Sequence, residues 1–125
     1  EGIVHTALRE AREEIGINDK DVTILGQLTE LFIPVSNYIV YPVLGYMNYQ
    51  PKLIPEEREV KQVLEVNLSH LLEAERIKRK KIEIRGYTID TPYFDLENQF
   101  VWGATAMILS ELKELIGEVM PQSSK

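Results

Sequence analysis

The order of elements readable in this chain predicts an α+β fold, a sandwich in which a mixed β-sheet lies between helices. Three observations carry that expectation. Apolar residues recur at helical spacing near both ends, β-branched and aromatic runs fill the stretch between, and Gly, Pro and Asn interrupt those runs at intervals that suit hairpins. With 125 residues, 44% of them hydrophobic, the chain is expected to form one domain with a real core.

A first helix is expected over residues 2–15. At about 100° per residue, Ile3, Val4, Ala7, Leu8, Ala11 and Ile15 form one apolar stripe, and His5, Arg9 and Arg12 take the outward side. Gly16 is placed to end this helix as its C-terminal cap. Residues 18–21 read as a polar loop, residues 22–25 as a short strand, and residues 28–32 as a second strand beyond Gly26. Pro34, Ser36 and Asn37 mark a break before the apolar and aromatic run 38–47, which reads as a long central strand. Pro42 within it removes a ladder donor and signals an edge or a bulge.

Residues 48–55 are loop-like, residues 63–66 a strand, and residues 69–72 a short helix. Residues 82–85 and 91–95 read as two pieces of sheet, with a turn at 96–98 leading into 99–102. From 103 to about 116, Ala104, Met107, Ile108, Leu112, Leu115 and Ile116 recur at helical spacing, so an amphipathic helix is expected before a frayed tail at 121–125.

The first helix also carries the chemistry. Glu10, Glu13 and Glu14 are related by i+3, i+4 and i+1, so they project within an arc of about 100° at the edge of the apolar stripe. A merely solvated acidic face would lie opposite the stripe, whereas carboxylates at its edge sit where a cleft could collect them. Magnesium takes oxygen ligands, keeps several waters, and is usually shared between one or two carboxylates and substrate phosphates. Spacing alone is equally met by a surface helix with Arg–Glu support, such as Arg9 with Glu13, and that is the plainer reading of it.

The full string Arg9-Glu10-Ala11-Arg12-Glu13-Glu14-Ile15-Gly16-Ile17 resembles the second half of the Nudix box. Glu1 falls on the box Glu, Arg9 and Glu10 on its Arg-Glu pair, Ala11 on the apolar position, Glu13 and Glu14 on the Glu pair, and Gly16 and Ile17 on the closing pair. The box Gly would lie six residues before Glu1, outside this chain. The resemblance therefore implies a single Nudix domain over residues 1–125, an α/β/α sandwich incomplete at its N-terminus, with sequence upstream supplying the first strands.

Two further segments resemble the coenzyme A diphosphatase branch of that family: Trp102-Gly103-Ala104-Thr105-Ala106, preceded by Thr91-Pro92-Tyr93-Phe94-Asp95, and Phe32-Ile33-Pro34-Val35-Ser36-Asn37-Tyr38. That branch's distinguishing motif lies before the box. The implied activity is hydrolysis, with Mg2+ or Mn2+, of a diphosphate bond in a nucleoside diphosphate linked to another group, coenzyme A first and ADP-ribose next. Glu10, Glu13 and Glu14 would hold the metal, and Arg9 would hold the Glu side chains through charge-assisted hydrogen bonds. Glu1 would order the helix or assist at the metal. Glu59, ahead of Val60, would act as base or extra ligand. A non-catalytic module that binds a nucleotide or a protein partner is the alternative, opposed by the retention of every box carboxylate present.

A formal charge of -6 argues against a dedicated duplex-DNA or anionic-membrane binder, because phosphate neutralisation needs a basic face. Cysteine is absent from the sequence, which excludes zinc-thiolate sites and thiol nucleophiles. Without an apolar run of membrane-spanning length or an opening signal segment, a soluble, cytoplasmic protein is the default expectation, with a removed targeting segment before Glu1 as the alternative, and the resemblance implies a small nucleotide substrate. An unpaired sheet edge would favour a homodimer. The basic run Arg76, Lys78, Arg79, Lys80 and Lys81 reads as a solvated connection, Trp102 as a core anchor, and Tyr38 and Tyr41 as packing residues that could also stack on a base. His5 and His70 are isolated and receive no catalytic role.

Overall fold

The computed structural model describes residues 2–58 and 63–119. Their contacts group into two compact units, Glu1–Leu64 and Glu65–Lys125. Helices and antiparallel strands together make the chain α+β, as the sequence predicts, and all four strand pairings among the described residues are antiparallel.

The first unit opens with helix α1, Ile3–Ile15. Gly16 ends it at φ 76°, a left-handed conformation that a side chain would resist, and its N–H turns back to the Arg12 carbonyl at 3.2 Å. Asn18 then caps a single 3-10 turn, its side chain accepting from the Lys20 N–H at 3.1 Å. The stripe residues Val4, Ala7, Leu8, Ala11 and Ile15 are half-buried, while Ile3 is exposed. Ala7, Leu8 and Ala11 face Val22, Ile24 and Val43 across a cavity of about 210 Å³.

Four short strands follow: β1 Thr23–Gln27, β2 Leu31–Ile33, β3 Tyr38–Val40 and β4 Val43–Tyr46. Two boundaries differ from expectation. Gly26 lies inside β1 rather than after it, because a bulge between Ile24 and Gly26 absorbs one residue and lets the ladder to β4 continue. The expected central strand 38–47 is divided at Tyr41 and Pro42: β3 pairs with β2 and β4 pairs with β1. Pro42 has no N–H to give a ladder, and its carbonyl instead accepts from the Leu28 N–H at 2.9 Å. The β2–β3 turn closes through Asn37 at φ 60°, whose N–H bonds the Ile33 carbonyl at 2.9 Å.

The second unit holds helix α2 Leu68–Leu71, strands β5 Ile77–Ile84, β6 Tyr87–Leu96 and β7 Gln99–Val101, and helix α3 Gly103–Val119. Residues 63–66, expected as a strand, make no ladder; they run without regular structure into Asn67, which caps α2 by accepting from the Ser69 N–H at 3.0 Å. The basic run is likewise not a connection. Ile77 to Lys81 pair with Phe94 to Asp90, and the cations meet carboxylates on β6, Lys78 to Asp95 at 2.7 Å and Arg79 to Asp90 at 3.4 Å.

Both hairpins of this sheet use two-residue turns with positive φ at each position, Arg85–Gly86 and Glu97–Asn98, as the primed turns of twisted strands require. The buried apolar side chains among the described residues, Leu71, Phe94, Leu96 and Val101, all belong to this unit, and Leu96 is fully buried. Trp102 is not among them: it is 39% exposed, stacked on Phe100 with ring centroids 6.1 Å apart. Alternation along β7 explains this, since Val101 takes the inward position and leaves its neighbours Phe100 and Trp102 to the other face. No helix among the described residues is long and apolar enough to cross a membrane.

Candidate functional site

Within the first unit, α1 and the segment 54–58 together enclose an open cleft of about 760 Å³ lined by Arg9, Glu10, Glu13, Glu14, Glu56 and Arg58. Helical spacing accounts for the first four, because positions 9, 10, 13 and 14 share one side of α1. Backbone bonding accounts for the other two. The last carbonyls of a helix lack intrahelical partners, and here those of Glu14 and Ile15 accept from the Glu56 and Ile54 N–H groups at 2.6 Å and 2.8 Å. The segment is thereby stitched to the end of α1, with Glu56 facing the helix carboxylates.

The side chains are held by short contacts. Arg9 donates to Glu13 at 3.3 Å, Arg12 approaches the other Glu13 oxygen at 3.9 Å and donates to Asp19 at 3.0 Å. Glu56 accepts from the Arg58 N–H through Oε1 at 3.1 Å. Glu10 and Glu13 are exposed and Glu14 is half-buried. Four carboxylates against two guanidiniums leave the lining with a formal charge of -2.

This donor set fits a hard divalent cation. It offers carboxylate oxygens on two sides of one cleft, with no sulfur ligand in its lining. It is not a ready-made cage, since no three His, Asp or Glu groups converge as one among the described residues. Magnesium asks for less, as one or two carboxylates with waters and phosphate oxygens complete its shell.

The structure thus brings together Arg9, Glu10, Glu13 and Glu14 as the sequence predicts. Glu1 and Glu59 lie outside the described residues. Glu56 is the residue that sequence reading missed. Its signal was indirect: a helix ending at Gly16 leaves carbonyls in need of donors, but sequence does not say which loop supplies them. His70 stands apart in the second unit, its Nδ1 2.9 Å from Glu97. That Glu97 oxygen also accepts from the Asn67 N–H at 3.1 Å, and this bond, followed by the one to His70, holds the Glu97 carboxyl below its ordinary range.

Comparison with known proteins adds a likeness over most of the chain. No family model matches the chain. It is similar to the uncharacterized Nudix hydrolase NudL of Pectobacterium atrosepticum, 36% identical over 110 residues, which cover 88% of this chain and 57% of that protein. The NudL proteins of Photorhabdus laumondii and Yersinia pestis are each 32% identical, over 114 and 116 residues; the matches cover 91% and 93% of this chain and 60% and 58% of theirs. The chain therefore spans less than two thirds of the length of these relatives.

Proposed function

We propose that this chain, which belongs to the Nudix family, carries the carboxylate helix of a hydrolase that cleaves a diphosphate bond in a nucleoside diphosphate linked to another group. The observation that carries the reading is the cleft itself. Its lining is net negative, yet two arginines are set among the carboxylates, an arrangement that repels a bare diphosphate and accepts one accompanied by a divalent cation.

Glu10, Glu13, Glu14 and Glu56 would hold that cation, Mg2+ or Mn2+. When bound, it supplies charge neutralisation for the diphosphate and acidifies the attacking water. Arg9 fixes the Glu13 carboxylate, and Arg58 offers its guanidinium at the opposite wall. Glu59 and Glu1 remain assigned as base or additional ligand and as helix-ordering or metal-assisting residue. Coenzyme A is the first substrate to test, on the strength of the Trp102 to Ala106 and Phe32 to Tyr38 segments; ADP-ribose follows.

Mass-resolved product analysis of the full natural polypeptide with coenzyme A and ADP-ribose, with and without Mg2+, tests the reading. Metal-dependent release of two phosphate monoesters is the expected result, nearly abolished in Glu14→Gln with the circular dichroism spectrum unchanged. Full turnover in that variant would remove the carboxylates from the chemistry.

A further inference from the structure

Glu10 lines two cavities. Besides the carboxylate cleft it borders a second opening of about 500 Å³, walled by Ile3, Thr6, Ala7 and the run Tyr38, Ile39, Val40 and Tyr41. The character changes sharply from one to the other. The cleft is walled by charged groups only, whereas the second opening is aliphatic and aromatic apart from Glu10 and the Thr6 and Tyr hydroxyls. Tyr38 is 70% exposed and Tyr41 44% exposed, so two aromatic rings meet solvent at the rim of an apolar cavity that adjoins a phosphate-directed site.

From this juxtaposition, we infer that Tyr38 and Tyr41 form the subsite for the nucleobase of the substrate, with Glu10 marking the junction between the diphosphate and the nucleoside. The inference rests on the diphosphate-hydrolase reading, since the occupant is chosen by continuity with the cleft. A nucleobase suits the walls: its faces stack on phenol rings and its edge reaches hydroxyl and carboxylate groups. Division of β3 from β4 at Pro42 is what makes the subsite available, because Tyr41 leaves the ladder and is free of strand alternation beside Tyr38.

Calorimetric titration with AMP and with ribose 5-phosphate, in the full natural polypeptide, tests the subsite without requiring turnover. Wild type should bind AMP about tenfold more tightly than ribose 5-phosphate, as one stacked base would give. The Tyr38→Ala/Tyr41→Ala variant should lose that preference while keeping its ribose 5-phosphate affinity, and the double Phe variant should restore it. Should the Ala variant fail to fold, the tyrosine ring-proton shifts of wild type on adding AMP, absent on adding ribose 5-phosphate, give the same answer. No AMP preference in wild type, or its persistence in the folded Ala variant, would overturn the inference. An AMP preference lost in the variant without any diphosphate hydrolysis in wild type would uphold the subsite and sink the hydrolase reading.

Discussion

Replacing Gly16 by Ala is the perturbation that most directly joins fold to site. At φ 76° an L-residue other than Gly costs about 1–2 kcal/mol, against which restricting the unfolded chain returns only a few tenths to about 1 kcal/mol. The new Cβ would also lie 3.3 Å from Cβ of Ile54, closer than ordinary contact, and Ile54 is bonded through its N–H to the Ile15 carbonyl. We expect a net loss of about 1–2 kcal/mol, seen as a lower urea midpoint at unchanged slope. Because pushing Ile54 away loosens the 2.6 Å bond from Glu56 N–H to the Glu14 carbonyl, the Mg2+ concentration for half-maximal turnover should rise as well. Gly16→Asn, which tolerates the left-handed conformation better, should lose less stability while keeping the steric effect on Ile54. An Ala variant as stable as wild type, with the same metal dependence, would refute both the strain and the coupling.

Arg9→Ala should cost no more than about 0.5 kcal/mol, since the Glu13 pair is exposed, yet reduce turnover tenfold or more by releasing Glu13; equal small effects on both would make the pair merely supportive. Glu56→Gln keeps an acceptor for the Arg58 N–H, so folding should be unchanged while the Mg2+ requirement rises about tenfold, measured by titrating metal at fixed substrate. In the second unit Glu73, Asp95 and Glu97 are held below their ordinary range chiefly by Arg76, by Lys78 and by the Asn67 N–H respectively. A depressed carboxyl contributes stability that is present above its unfolded pKa and lost as pH falls toward the folded one. Stability should therefore fall below about pH 4.5, and Glu97→Gln should make that fall shallower; an identical acid profile would count against Glu97.

The parts legible in sequence were those decided locally. Helix α1 could be read from its stripe and from Gly16, and the grouping of Glu10, Glu13 and Glu14 follows from helix geometry alone. The turn at Glu97 and Asn98 was similarly local. What could not be read depended on pairing. Pro42 signalled trouble in the run 38–47 but not that its two halves would join different partners, and nothing in residues 63–66 revealed that no strand would accept them. The basic run looked like a solvated connection because Lys78 and Arg79 find their carboxylates, Asp95 and Asp90, on β6, a partner ten or more residues away. Trp102 was misread because size suggested burial, whereas alternation gave the inward place to Val101. Glu56 was hidden for a similar reason, being brought to the cleft by backbone bonds to a helix end some forty residues earlier.

The distribution of packing bears on how such a site works. Every buried apolar side chain among the described residues lies in the second unit, whereas the candidate site lies in the first, where the apolar stripe of α1 is at most half-buried and the segment 54–58 is joined to the helix by backbone hydrogen bonds. Regions with few buried apolar contacts open at low free energy. Repulsion among Glu10, Glu13, Glu14 and Glu56 adds to that tendency, with Arg9 and Arg58 offsetting part of it. A divalent cation that binds only the folded arrangement should therefore protect amides in this unit, by about 2.7 kcal/mol at a hundredfold excess over its dissociation constant. Hydrogen exchange with and without Mg2+ should locate the protection at the end of α1 and at Ile54 and Glu56, and Glu14→Gln should remove it. Protection spread evenly through both units, or unaltered by Glu14→Gln, would mean that the cation acts elsewhere and that the carboxylates of α1 are a solvated face.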